Sequence, residues 1–303
     1  MPGVGDILLP GPPVRFEGVS LDTGTNRLFL AHADANQLVV VDVQNRVVVG
    51  TINDVQRPVG LIASPELERV YAGGTGHGEI VVVAARSLDI VSRIPDAGYP
   101  VAVAYAPNPR RLYVANGRGS GVIVVDVFDN KVLTRIPLDG SVEGAAYDPV
   151  SACMLIAVGA ELAVINPETD SVAMRIPLAG VVAAHAIAVD PTRHLAFVTS
   201  QANAQVAVVD LTAGRVTTTV TAGRGPDGVA VDPAWGRVYV GSETGTISVF
   251  TVLPDGTLAH DGDVIIPNAH TLTVDPRTHL LYVPRENVGG HPRLLVIAPA
   301  APG

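Results

Sequence analysis

Seven positions, spaced by 42 residues and by 43 at the last step, hold the side chains best suited to do chemistry: Glu17, Val59, Val101, Glu143, His185, Asp227 and His270. Five of them are acids or histidines. If the series closes on itself, the five run consecutively as Glu143, His185, Asp227, His270 and Glu17. Carboxylates that converge repel one another and raise one another's pKa unless a cation or hydrogen-bond donors compensate. Two imidazoles among three carboxylates supply neutral nitrogen ligands, a set that suits Zn²⁺, Mn²⁺ or Fe²⁺ better than Ca²⁺ or Mg²⁺, which favour oxygen. Three readings stay open on residue type alone. The first is a divalent metal held by Glu17, Glu143, His185, Asp227 and His270. The second is an acid/base site in which His185, His270 and Glu143 move protons. The third is a solvated rim with no ligand.

Such spacing requires a repeated element to position it. The turn that begins five residues beyond each site position recurs as Asp22-Thr23, Ser64-Pro65, Ala106-Pro107, Asp148-Pro149, Asp190-Pro191, Asp232-Pro233 and Asp275-Pro276, giving seven copies. Seven residues after each turn stands one large side chain: Phe29, Tyr71, Tyr113, Leu155, Phe197, Tyr239 or Tyr282. Within one copy, the apolar runs Val101–Tyr105, Arg111–Ala115, Val122–Val127 and Val132–Pro137 are too short for helices and are separated by turn residues, so they read as a four-stranded meander. Four-stranded units of about 40–45 residues are the signature of a β-propeller. The fold expected is all-β, a seven-bladed β-propeller forming one domain over residues 1–303, with a disordered tail at 298–303. The seventh copy ends after its third strand, and Gly5–Pro10 resembles the fourth-strand ends RIPLDG and RIPLAG. The N-terminal segment is therefore predicted to supply the outer strand of the last blade.

In that architecture the first strand of each blade lines the central channel and the site positions stand at its entry. Each is followed by a small residue except at Thr271, as close backbone approach requires. Polar residues of the turn between second and third strands should share that face, among them Gln201 and Glu243. Arg285 and His32 occupy the same repeat position in blades seven and one, which makes Arg285 a candidate anion anchor and His32 a candidate ligand or base. His194 and His279 fall in the first turn on the opposite face and read as exposed. Cys153, the lone cysteine, reads as a buried inert thiol.

Composition narrows the class. A formal net charge of −9 without a basic cluster argues against nucleic acid as the main partner. No run of about 18 apolar residues could span a membrane as a helix, and MPGVGDILLPGPP shows no basic segment followed by a long apolar core. The expectation is a cytoplasmic monomer with a small-molecule substrate or ligand and no membrane partner.

The segments Tyr113-Val114-Ala115-Asn116, Phe29-Leu30-Ala31-His32 and Tyr239-Val240-Gly241-Ser242, with their VVVDV strands, resemble the YVTN-repeat propellers over essentially the whole chain. That resemblance implies the propeller fold and no settled activity. Locally, Glu17-Gly18 and Pro226-Asp227-Gly228 resemble the gluconolactonase and senescence-marker propellers, which would make Glu17 and Asp227 ligands of a divalent metal. Those families use Asn where this chain has His185. The hairpin Thr246–Leu258 is similar to a blade of the metal-independent phosphogluconolactonase-type propellers. Two functional classes follow: a small-molecule enzyme, hydrolase (lactone or ester) or lyase/isomerase, with a metal-assisted or acid/base site, or a non-catalytic scaffold that binds a protein or small ligand.

Overall fold

A computed structural model describes residues 3–119 and 121–301. The chain is all-β, with seven sheets of four antiparallel strands, the organisation of a seven-bladed β-propeller; two single-turn 3-10 helices, Ala33–Ala35 and Pro65–Leu67, are the helical elements among the described residues. Six sheets are meanders of consecutive strands. The third is representative, pairing Pro100–Ala106, Arg111–Asn116, Val122–Asp126 and Lys131–Ile136 in order. Its second and third strands are apolar on both faces because each lies between neighbouring layers, whereas its fourth strand is largely exposed.

The seventh sheet closes as the truncated last repeat predicts. Gly3–Leu8 lies outside His291–Ile297, followed by Leu281–Val288 and the two-residue strand Thr273–Val274. The Leu9 amide continues the pairing to the carbonyl of Pro292 at 3.0 Å. Pro299 and Ala300 line a cavity of about 250 Å³ with Arg237 and Tyr239, so this part of the expected tail is placed against the sheet. Residues 302 and 303 lie outside the described residues.

Two compact units are distinguishable. Among the described residues the first comprises 143–283 with 3–4 and 296–301. Leu155 packs there with Leu162, Ile176, Ala196 and Val198, joining the fourth and fifth blades. Phe197 packs with Val206, Val238, Val240 and Phe250, joining the fifth and sixth. The second unit comprises 5–142 with 284–295, and there Phe29 and Tyr71 play the same part for the first and second and the second and third blades. All seven large residues of the repeat are at most 1 % exposed, and each contributes about 1.5–3 kcal/mol by burial. Burial pushes the hydroxyls of Tyr71 and Tyr239 up to about 12, so both are neutral at any ordinary pH. No helix among the described residues is long and apolar enough to cross a membrane.

The turn aspartates explain why the repeat is so regular. Asp22, Asp148, Asp190, Asp232 and Asp275 are all 0–1 % exposed, and each accepts at least one backbone amide from the turn that follows. A short carboxylate that bonds two or three residues ahead fixes the turn without further help.

Candidate functional site

Within the first unit the site positions fall at the start of successive first strands. Glu143 is the second residue of Val142–Asp148, His185 of Ala184–Asp190 and Asp227 of Pro226–Asp232, while His270 precedes Thr273–Val274 by three residues. At these positions the strand departs from regular pairing. Pro226 pairs with Ser242 and Gly228 with Gly241, leaving Asp227 as an extra residue; Ala184 pairs with Ser200 and Ile187 with Val198, so His185-Ala186 carries the same irregularity. A bulge of one residue re-aims the side chain it carries and breaks the in/out alternation. The Ala186 amide, lost to the ladder, is taken by Thr199 Oγ1 at 2.9 Å. Neighbouring first strands approach closely here. A Cβ on Gly144 would run into the carbonyl oxygen of His185, and the Gly228 amide reaches the His270 carbonyl at 3.3 Å.

The result is one carboxylate faced by two imidazoles. Asp227 Oδ1 lies 2.9 Å from His185 Nε2 and accepts from Gln201 Nε2 at 3.3 Å. Asp227 Oδ2 lies 3.8 Å from His270 Nε2, beyond hydrogen-bond length. The side chains of His185, Asp227 and His270 are 25 %, 12 % and 4 % exposed, so the pocket is largely desolvated yet open on the His185 side. Glu143 stands half-buried one blade before His185.

This arrangement fits a divalent cation by donor chemistry. Two imidazole nitrogens and one carboxylate form a set suited to Zn²⁺, Mn²⁺ or Fe²⁺.

The remaining candidates belong to the second unit. Glu17 is half-buried, with Arg15 Nε 2.6 Å from its Oε1. His32 ends the strand Arg27–His32 and is fully buried rather than in a loop; its ring stacks on Phe16 at 4.1 Å and 9°, and Nδ1 lies 3.1 Å from Gln37 Nε2. Burial holds its pKa below the ordinary value against the opposing pull of the Pro12 and Val14 carbonyls, so the ring is neutral near pH 7. Arg285 lies within Leu281–Val288, with its Nε enclosed and without an acceptor among the described residues.

Two histidines expected to be exposed are not. His194 Nε2 lies 2.8 Å from Asp148 Oδ2, and His279 Nδ1 2.6 Å from Asp232 Oδ2, each reaching the buried turn aspartate of the preceding blade. The sequence signal was available: both stand four residues after their own turn aspartate, at the left-handed position of the turn. Cys153 also departs from expectation, being half-buried at the start of Cys153–Val158 with Sγ 3.4 Å from the Ser151 carbonyl. Gln201, read as one loop residue among many, is the side chain that reaches Asp227.

No protein-family model matches the chain, and no curated protein matches its sequence. Among solved structures, it is similar to Kuenenia stuttgartiensis hydrazine synthase, with a TM-score of 0.79 and 15 % identity over 97 % of both chains. It is also similar to a chain of a mitotic checkpoint complex, with a TM-score of 0.82 and 12 % identity over 97 % of this chain and 91 % of that one. At such identities the likeness shows the seven-bladed propeller fold alone, which serves a synthase in one case and a protein assembly in the other.

Proposed function

We propose that the chain is a metal-dependent enzyme of hydrolase or lyase type acting on a small molecule, with His185, Asp227 and His270 as ligands. The observation that carries this reading is the pairing of both oxygens of one carboxylate with Nε2 atoms from the two flanking blades. A bound Zn²⁺, Mn²⁺ or Fe²⁺ would polarise a carbonyl or lower the pKa of a water. The protein's own part is positional. Gln201 orients Asp227 through Oδ1, the bulges at His185 and Asp227 aim both side chains out of their sheets, and burial of His270 fixes one imidazole while the His185 side stays open to an entering molecule. Glu143 is the neighbouring carboxylate able to take a proton.

The 2.9 Å contact between His185 and Asp227 favours a second reading, a His–Asp pair acting as general base without an ion. Elemental analysis of protein purified without added metal separates the two. The metal reading expects near-stoichiometric Zn, Mn or Fe, lost in His270→Ala with the fold retained by circular dichroism. Unchanged metal content in His270→Ala overturns it. Metal-free protein that takes up none of the three ions on dialysis also overturns it and leaves the His–Asp pair.

A further inference from the structure

Repeats one and six carry an arginine at the same position and use it differently. Arg27 and Arg237 each stand five residues beyond their turn aspartate and open the second strand of the blade. In the first blade the Arg27 guanidinium reaches the chain just beyond the third strand of the second blade, donating to the carbonyls of Ala85 at 2.6 Å and Arg86 at 2.5 Å. The matching stretch beyond the third strand of the seventh blade holds Pro299 and Ala300. Arg237 pairs instead with Asp261 on the outer strand of its own blade, and Asp261 Oδ2 also accepts the Thr251 hydroxyl at 2.7 Å. Where the first repeat places a guanidinium, the sixth therefore keeps a cavity of about 250 Å³. Arg237, Tyr239, Val249, Asp261 and Val264 wall it together with Pro299 and Ala300, all of them residues of the first unit.

The cavity offers polar atoms of both kinds. Tyr239 is fully buried and its hydroxyl has no partner among the described residues, and the enclosed Nε of Arg237 has none either. Two buried donors thus lack an acceptor, which native interiors avoid. The carbonyls of Pro299 and Ala300 in turn have no donor among the described residues. The charges are already engaged: Arg237 holds Asp261, and Asp263, which also lines the cavity, has His260 Nε2 at 2.9 Å from its Oδ1. Gly262, between the two aspartates, leaves room, since a Cβ there would meet nothing within 4 Å. These features choose among ligand groups of one shape. A carboxylate would supply the acceptor but would stand beside two aspartates. An amidinium would leave Tyr239 and Arg237 Nε without an acceptor and would stand beside a guanidinium. A primary carboxamide brings one oxygen for the two donors, an NH2 group for the carbonyls, and no charge.

We propose that this cavity is a binding site for a small neutral carboxamide, whose oxygen accepts from Tyr239 Oη and Arg237 Nε, whose nitrogen donates to the carbonyl of Pro299 or Ala300, and whose apolar body lies against Val249 and Val264. Its volume is just below the usual range of ligand pockets and so suits a molecule of few heavy atoms. Arg237 pairs with Asp232, at the close of Pro226–Asp232, so the site stands at the opposite end of that strand from Asp227. It does not depend on the metal reading of His185, Asp227 and His270.

The test uses three probes of one shape, isovaleramide, isovalerate and isovaleramidine, titrated against the full chain by saturation-transfer NMR. Isovaleramide should bind about tenfold or more tightly than either charged isostere. Tyr239→Phe removes the hydroxyl alone, and the first and fifth repeats carry Phe29 and Phe197 at this position, so the fold should be retained by circular dichroism. That variant should weaken isovaleramide about tenfold and erase most of its preference. Arg237→Lys keeps a cation for Asp261 but loses Nε, and should weaken isovaleramide in the same direction. Three results overturn the site: equal or tighter binding of isovalerate or isovaleramidine by the unaltered protein, no saturable binding of isovaleramide at millimolar concentration, or an unchanged isovaleramide affinity in Tyr239→Phe.

Discussion

The strand Pro226–Asp232 carries a histidine–aspartate contact at each end, and the two ends use it differently. At its close, Asp232 is fully buried, accepts the Trp235 amide at 3.3 Å and faces His279 Nδ1 at 2.6 Å, and the His279 ring stacks on Trp235 at 3.9 Å and 12°. The fourth and fifth blades repeat the device. Asp148 accepts the Val150 amide at 3.0 Å, the Ser151 hydroxyl and His194 Nε2, whose other nitrogen lies 2.9 Å from Thr212 Oγ1. At the opening of the strand, Asp227 sits on a bulge, keeps some exposure, and has Gln201 and the two imidazoles about it. The residue types are the same at both ends. What separates them is the company each carboxylate keeps: Asp232 accepts an amide of its own turn, while Asp227, on a bulge, meets side chains from the neighbouring blades.

The largest effect that could break this comparison is at the capping end. Asp232→Ala removes a turn acceptor and strands a half-buried imidazole, and should cost about 2–4 kcal/mol. Equilibrium denaturant unfolding measures it, and a loss below about 1 kcal/mol would show that the cap carries little.

Most of the fold was legible because its determinants are local and repeated. Turn aspartates, a large residue seven positions later and apolar runs of strand length recur in register, and the missing fourth strand of the last repeat pointed to the N-terminal segment. The candidate site was legible only as a register. The 42-residue spacing singled out His185, Asp227 and His270, but the bulges that carry His185 and Asp227 depend on pairing with the next strand, through contacts such as Ala186 with Thr199, which no run of residues displays. His194 and His279 were misread because their partners lie 46 and 47 residues back. A contact one repeat plus four residues distant appears only when blades are stacked. His32 stands beside the turn residues Asp34 and Asn36, yet its ring packs on Phe16, sixteen residues earlier, a contact that the repeat pattern does not display.

A smaller effect, about 1–2 kcal/mol, is expected for His194→Ala, which leaves Asp148 its turn donors but removes one charge-assisted partner. The pH dependence of stability sharpens the same point. Burial alone would push the Asp148 carboxyl up, yet the hydrogen bonds from Ser151, His194 and the Val150 amide together hold it below the ordinary carboxylate range. The folded state thus releases its proton more readily than the unfolded state. The stabilisation is complete above the ordinary carboxylate range and is lost as the pH falls through the lowered folded value. Asp148→Asn should flatten that acid limb in urea titrations between pH 6 and about pH 3. An unchanged slope would mean that other carboxylates carry it.

The smallest effect on stability, and the most discriminating, is expected at the opening of the strand. Asp227→Asn keeps the shape and one oxygen that can still accept from His185 or Gln201, whereas Asp232 holds the amide of its own turn. Its unfolding free energy should therefore stay within about 1 kcal/mol of the unaltered protein. The electrostatic change is far larger than the structural one. Removing the negative charge between two imidazoles takes away the anionic ligand that offsets a dication, so metal content should fall sharply while the melting curve hardly moves. Asp232→Asn, measured beside it, should show the reverse: a clear loss of stability and retention of metal. If Asp227→Asn destabilises the protein as much as Asp232→Asn does, the opening of the strand is also a structural fastening, and the distinction between capped and bulged carboxylates fails for this chain.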